Sequence, residues 1–146
     1  SPTKAYFGQK DAQQVRVIQR MATDLALPLE VVVGPTVRES DGLAMSSRNT
    51  YLSEGERASA SVLYRALCAA RAAAEGGEFD AHALRRLMAQ LIVGEPMAEI
   101  DYVSVADPDS LAELATIDPA RGALLSLAVR FGRTRLIDNV VLPPSR

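Results

Sequence analysis

Several residue types on which whole classes of proteins depend are scarce in this sequence. Its 146 residues include one cysteine, one histidine and no tryptophan. A single cysteine excludes an internal disulfide and is typical of a reducing compartment, so we predict a cytoplasmic protein. No apolar run approaches the ~20 residues that cross a bilayer, so we expect no membrane partner. The net charge of −2 provides no cationic field for nucleic acid.

Lysine is also scarce, because only two of the 16 basic residues are lysines. One of them lies in Gly8-Gln9-Lys10-Asp11, where a predicted strand gives way to a predicted helix. Backbone N–H groups at a helix N-terminus favour an anion and the lysine adds a full charge, so a phosphate chain would fit. An alternative is that Gly8 allows a turn, Lys10 is solvated and Asp11 only caps the helix. When the segment is considered by itself, this alternative is favoured.

Gln14 also has two interpretations. It follows the predicted cap Asp11 by three residues, the spacing of a capping box. Alternatively, Gln13 or Gln14 points into the same crevice one turn into the helix. A neutral amide can donate to a carboxylate and accept from a hydroxyl, which suits a small hydroxy acid. The spacing alone favours the cap.

The first 35 residues predict one strand–helix–strand unit. Apolar runs at Ala5 to Phe7 and Leu29 to Val33 are typical of buried strands, and apolar residues recur at helical spacing from Asp11 to Leu25. Such a unit implies a parallel sheet with a right-handed crossover. Because one unit does not make a stable domain, we expect the chain to begin partway through one.

Residues 36–146 predict a small α+β domain. Ser53 and Glu56 form a capping box that opens a helix ending at Gly76-Gly77, and Asp80 caps a second helix that ends at Gly94. Two helices followed by three short strands favour an antiparallel sheet. The predicted strands are Ile100 to Val105, Leu124 to Val129 and Thr134 to Leu142.

The polar segment from Pro35 to Asn49 contains the second candidate site. Ser46, Ser47 and Arg48 combine two hydroxyl groups with a permanently charged donor fork, which can bind several phosphate oxygens. Charge on a transferring phosphate needs a preorganised clamp of this kind rather than a nucleophile. The alternative is a polar linker in which Ser47 or Asn49 caps turns.

Other candidates are weaker. A serine hydrolase would need a base for Ser46, but His82 lies in a predicted helix and no G-x-S-x-G motif surrounds the serine. One cysteine and one histidine make no metal-ligand set, so we expect no metal site. We interpret the cluster of Arg130, Arg133 and Arg135 as a solvated face.

The order and spacing of several segments resemble the pantothenate synthetase (pantoate–β-alanine ligase) family. The resemblance covers essentially the whole chain, but it corresponds to about the C-terminal half of the usual enzyme. Its most specific part runs from Asp41 to Asn49. The segments are Phe7 to Gln14, Pro35 to Glu39, Asp41 to Asn49, Glu56-Arg57, Asp101-Tyr102, Asp107-Pro108 and Arg135 to Asn139.

The resemblance implies an ATP-dependent ligase of the nucleotidyltransferase superfamily. Pantoate would react with Mg-ATP to give pantoyl adenylate and pyrophosphate, and β-alanine would then displace AMP to give pantothenate. Residues 1–35 would be the last βαβ portion of a Rossmann-like domain. Residues 36–146 would be a lid domain, and the parent enzyme would be a homodimer.

The resemblance also assigns roles to single residues. Lys10, Ser46, Ser47 and Arg48 would stabilise charge on the phosphates, the last three as the counterpart of the KMSKS loop. Gln14 would bind pantoate. ATP would contact Gly8, Gln9, Lys10, Asp11, Val37, Met45, Ser46, Ser47 and Arg48.

Two features depart from the family pattern. Gln9 and Ala12 stand where Glu and an aromatic residue are frequent, and the Met-Gly-x-Leu-His-x-Gly-His segment is absent. Because that segment is absent, we expect that this chain alone does not make pantothenate. The alternatives are a non-catalytic nucleotide-binding or assembly domain, and a nucleotidyltransferase with another acid substrate.

Overall fold

The computed structural model describes the backbone of residues 3–8 and 29–34 and all atoms of residues 37–145. Strand β1 (Thr3–Gly8) and strand β2 (Leu29–Gly34) pair in parallel, from Thr3 opposite Leu29 to Gly8 opposite Gly34. The predicted parallel pairing is confirmed, and each strand is longer than predicted. The helix predicted between them lies outside the described residues.

Three α-helices follow in the described residues, namely α1 (Glu54–Ala60), α2 (Val62–Glu75) and α3 (Ala81–Val93). The predicted capping box is present, because Ser53 Oγ accepts from the N–H of Glu56 and Glu56 Oε1 accepts from the N–H of Ser53. The helix that the sequence predicts from the capping box to Gly76-Gly77 is interrupted at Ser61, which separates α1 from α2. The Ser61 hydroxyl donates to the carbonyl of Ala58, and such a local bond competes with regular helical pairing.

The three predicted strands form an antiparallel sheet in the order β3-β4-β5. Their bounds are β3 (Ala98–Ala106), β4 (Ala123–Phe131) and β5 (Thr134–Leu142), with a register shift in β3 between Ile100 and Tyr102. A two-residue turn joins β4 to β5, and its Gly132 has φ +62°. The α+β architecture predicted for this part of the chain is confirmed.

The core lies between the helices and one face of the sheet. Leu84, Met88 and Ile92 of α3 are fully buried, whereas Leu87 and Leu91 are only partly buried. Burial of each such side chain contributes about 1.5–3 kcal/mol to folding. The largest buried partners on the other elements are Leu63, Leu67, Leu125, Leu127, Val129 and Phe131.

One acidic residue lies on the core face of this sheet. Asp138 pairs in register with the fully buried Leu127 and is itself 1% exposed. A buried carboxylate requires a charged or hydrogen-bonding partner, and its partner connects the sheet to the candidate site.

Among the described helices, none has the length and apolar character to cross a bilayer.

Candidate functional site

The structure describes part of the predicted site. Gly8 ends β1 opposite Gly34. Gln9, Lys10, Asp11 and Gln14 lie outside the described residues, so their roles stay predictions. The remaining predicted residues lie on two consecutive segments, a hairpin (residues 37–45) and a motif loop (residues 46–51).

The hairpin brings Val37 and Met45 together. The N–H of Met45 donates to the carbonyl of Val37 at 2.9 Å, and Arg38 pairs with Ala44 in the next antiparallel bridge. Val37 is 64% exposed and Met45 52% exposed. Two large apolar side chains are thus presented to solvent where the hairpin meets the motif loop.

The tip of the hairpin requires glycine at position 42. Gly42 has φ +93°, and a Cβ atom there would lie 2.3 Å from Cδ2 of Tyr64. The tip therefore packs against the ring of Tyr64 at a distance that no side chain permits. The preceding Asp41 accepts from the N–H of Leu43, and this bond closes the turn at Asp41-Gly42, a residue pair that favours turns.

Arg57 of α1 holds the hairpin through two carboxylates. Its guanidinium donates to Asp41 at 2.7 Å and to Glu39 at 2.7 Å. The hydrogen bond from Arg57 lowers the pKa of Asp41, and the bonds to Asp41 and Glu39 raise the pKa of Arg57. This network fixes the hairpin relative to the first helix of the domain.

A bidentate ion pair fixes the same hairpin to the sheet. The two terminal nitrogens of Arg38 donate to the carboxylate of Asp138 at 2.6 and 2.9 Å. The guanidinium also donates to the carbonyl of Gly42 at 3.0 Å and stacks 4.0 Å above the ring centre of Tyr64. The partner of the buried carboxylate is therefore the first arginine of the hairpin.

The motif loop forms a short 3-10 helix, Ser47–Tyr51, capped by Ser46. Ser46 has the extended backbone of an N-cap, and its Oγ accepts from the N–H of Arg48 at 3.2 Å. The cap thus lies on Ser46, whereas the linker alternative placed it on Ser47 or Asn49. Asn49 instead ties the loop to the hairpin, because its amide donates to the carbonyl of Ala44 at 3.1 Å.

Within the described ranges, no side-chain hydrogen bond or ion pair engages the Ser47 hydroxyl or the Arg48 guanidinium. Both residues are exposed. The backbone of the loop is therefore fixed by internal hydrogen bonds, while two donor side chains project from it. Such preorganised donors can bind phosphate oxygens without first breaking other contacts.

The motif loop forms one wall of an open groove of about 820 Å³. The β4–β5 turn, with Arg133 and Arg135, lines the same groove. Arg135 donates to Asp101 at 2.6 Å, which lowers the pKa of that carboxyl group. The groove is lined by Arg48, Tyr51, Glu56, Gly132, Arg133, Thr134 and Arg135.

Sequence reasoning did not place Tyr51 or Arg133 in this site. Arg133 is exposed as predicted, but it faces the same groove as Arg48. No spacing in the sequence signals this, because Arg133 and Arg48 share a groove only through the position of the β4–β5 turn beside the motif loop. His82 lies on α3, where its Nδ1 is 3.3 Å from Arg85, so the structure does not bring it to Ser46 as a base.

Comparisons with known proteins show which family this chain resembles. Residues 1–141 match the family described as pantoate-beta-alanine ligase. Pantothenate synthetase from Herpetosiphon aurantiacus is 62% identical over 141 residues, which are 97% of this chain and 51% of that protein. The corresponding protein from Chloroflexus aurantiacus is 59% identical over 97% of this chain and 50% of its own length. The chain thus spans about half the length of the curated relatives it matches.

Solved structures show the same relationship. Pantothenate synthetase from Thermus thermophilus superposes with a TM-score of 0.89 at 44% identity, over 98% of this chain and 51% of that chain. A pantoate-beta-alanine ligase from Francisella tularensis, complexed with beta-gamma ATP and beta-alanine, superposes with a TM-score of 0.61 at 26% identity. It is matched over 99% of this chain and 46% of its own.

Proposed function

Because the chain belongs to the pantoate–β-alanine ligase family, we propose that it is part of an enzyme that condenses pantoate with β-alanine at the expense of ATP. A carboxylate oxygen of pantoate attacks the α-phosphorus of Mg-ATP, and the bond from that phosphorus to the bridging oxygen breaks. Pyrophosphate leaves with the electron pair, and pantoyl adenylate remains. The amine of β-alanine then attacks the acyl carbon, AMP leaves, and the amine loses its proton as the amide of pantothenate forms.

The observation that supports this role is that the motif loop exposes donor side chains on a fixed backbone. Negative charge moves onto the leaving pyrophosphate during adenylation, and fixed hydrogen-bond donors stabilise that charge. The loop offers the exposed hydroxyl of Ser47 and the exposed guanidinium of Arg48, and the Ser46 cap fixes its backbone. We assign charge stabilisation to Ser46, Ser47 and Arg48, together with Lys10.

Contacts to the rest of ATP follow from neighbouring residues. Val37 and Met45 lie side by side and expose apolar surface next to the loop, which suits the face of a base. We assign nucleotide contacts to both, and to Gly8, Gln9, Lys10 and Asp11. Gln14 is the residue that we assign to pantoate.

We propose that residues 36–146 act as a lid over ATP and that residues 1–35 belong to the nucleotide-binding domain. Closure of a lid excludes water and protects an acyl adenylate from hydrolysis. The Arg38–Asp138 pair supports this role, because it holds the loop on the same rigid body as the sheet. Lid movement would therefore carry Arg48 to and from the nucleotide.

The complete activity resides, in this proposal, in a protein of the length of the curated relatives, acting as a homodimer. Pantothenate and AMP should form from pantoate, β-alanine and Mg-ATP when the full-length enzyme is present. The 146-residue chain alone should form neither. Pantothenate made by the isolated chain would refute its dependence on further residues, and a full-length protein that binds ATP without making AMP would favour a non-catalytic role.

A further inference from the structure

We propose that Arg133 is a second cationic ligand for condensed phosphate, in the same groove as Arg48. The inference rests on the proposed function, because the phosphate chain is that of ATP or of the pyrophosphate it releases. It extends that function, since it adds a positioning residue from the β4–β5 turn to the motif loop.

The turn is built so that Arg133 reaches the groove. Its two flanking residues, Phe131 and Thr134, are both buried, whereas Arg133 is exposed. Gly132 has φ +62°, and a Cβ atom there would lie 2.5 Å from Oε2 of Glu56. The left-handed φ favours glycine here, and the neighbouring Glu56 carboxylate shows that the turn lies beside the first turn of α1, in the groove that the motif loop also lines.

The charges of the groove leave two cations available. Arg135 is engaged by Asp101 at 2.6 Å, and the other oxygen of Glu56 accepts from the backbone of Ser53 at 2.8 Å. In the described part of the chain, neither Arg48 nor Arg133 has an ion pair or a side-chain hydrogen bond. Most other arginines of residues 37–145 are paired. The ion-paired set comprises Arg38, Arg57, Arg65, Arg85, Arg121 and Arg135.

The chemistry of the groove favours a polyvalent anion over a single carboxylate. Its two available arginines, Arg48 and Arg133, both line an open space of about 820 Å³. A condensed phosphate carries oxygens at both ends, so one molecule can accept from both arginines, and arginine forks suit phosphate geometry. AMP has a single phosphate and should gain less from the second arginine.

Binding of pyrophosphate and ATP to the 146-residue chain tests this inference directly. Isothermal titration with each ligand, and with AMP for comparison, should show that Arg133→Gln weakens pyrophosphate and ATP binding by about 10-fold or more, the scale of one charged hydrogen bond. AMP binding should change less. Arg86→Gln is the matched control, because Arg86 is exposed on α3 and does not line the groove.

Four outcomes separate the possibilities. Unchanged pyrophosphate affinity in Arg133→Gln, with a thermal midpoint like that of the parent chain, would overturn the inference. Retention of binding in Arg133→Lys and its loss in Arg133→Gln would support it through charge. In the full-length enzyme, Arg133→Gln should raise KM for ATP while activity stays dependent on pantoate. A full-length enzyme without pantoate-dependent activity would refute the proposed function, yet the pyrophosphate titrations would still decide the role of Arg133.

Discussion

Arg38 and Asp138 form a bidentate ion pair, at 2.6 and 2.9 Å, that joins the hairpin to the core face of the antiparallel sheet. Asp138 is 1% exposed and lies opposite the buried Leu127. The pair explains how the hairpin, which leads directly into the motif loop, is held on a domain whose core is apolar.

Removing one partner of this pair should destabilise the domain strongly. Asp138→Ala leaves the Arg38 guanidinium half-buried without its carboxylate, so we expect a loss of about 3–5 kcal/mol in the free energy of unfolding. Urea unfolding of the chain measures this quantity. Arg65→Gln is the control, because the exposed Arg65–Glu95 pair should contribute less than about 1 kcal/mol. Equal losses for the two variants would contradict the structural role of Asp138.

Gly42→Ala should destabilise the chain for two separable reasons. The positive φ costs a residue with a side chain about 1–3 kcal/mol, and the new Cβ atom would lie 2.3 Å from the ring of Tyr64. Gly77→Ala isolates the first cost, because Gly77 has φ +106° but no atom within 4 Å of the added Cβ. We expect Gly42→Ala to lose about 1–3 kcal/mol more than Gly77→Ala through overpacking. A similar loss in both would mean that the tip of the hairpin does not pack on Tyr64.

The capping box at α1 gives a smaller effect. Ser53→Ala removes the acceptor for the N–H of Glu56, and the loss of such a cap costs about 1 kcal/mol. Ser61→Ala serves as the control, because the Ser61 side chain caps no helix and only donates to Ala58. Thermal unfolding should therefore show a lower midpoint for Ser53→Ala than for Ser61→Ala, and the reverse order would contradict the assigned cap.

Asp107 should account for part of the acid sensitivity. Backbone N–H groups of Ser110 and Asp109, with Arg121, lower the pKa of Asp107 from 3.8 to about 2. The folded chain therefore holds this carboxyl group ionised at pH values where the unfolded chain protonates it. Its contribution to stability is present above about pH 4 and is lost as the pH falls toward about 2.

Asp107→Asn should thus flatten the decline in the urea midpoint between about pH 5 and pH 2. Asp109→Asn is the matched control, since the Asp109 side chain is 73% exposed and lies 3.5 Å from Arg121. If the urea midpoint of Asp107→Asn falls with pH as steeply as that of the parent chain, the contacts of Asp107 do not lower its pKa in solution.

The sequence predicts the elements of this domain better than it predicts their contacts. Capping residues such as Ser53 and Asp80 are local signals, and they mark helix starts that the structure has. The interruption at Ser61 has no such signal, because any serine in a helix can bond to its own backbone or to solvent. The parallel pairing of β1 with β2 follows from apolar runs that a helix-length segment separates.

The candidate site divides in the same way. The motif loop is recognisable as a local segment, and hydrogen bonds between residues close in the sequence fix its backbone. The pairing of Arg38 with Asp138, and the placement of Arg133 in the same groove as Arg48, depend on strand register and on a turn that packs against α1. Such long-range relationships carry no spacing that the sequence displays, so they emerge only with the fold.

Pantoate-dependent exchange of labelled pyrophosphate into ATP is the most direct measurement of the central claim, because it reports adenylation without β-alanine. The full-length enzyme should catalyse this exchange, and Arg48→Ala should slow it by about 10²–10³, the effect of losing one preorganised donor. Arg86→Ala, away from the groove, should exchange at the parent rate. An Arg48→Ala enzyme that exchanges at full rate, or a parent enzyme that exchanges equally well with unrelated acids, would contradict the account.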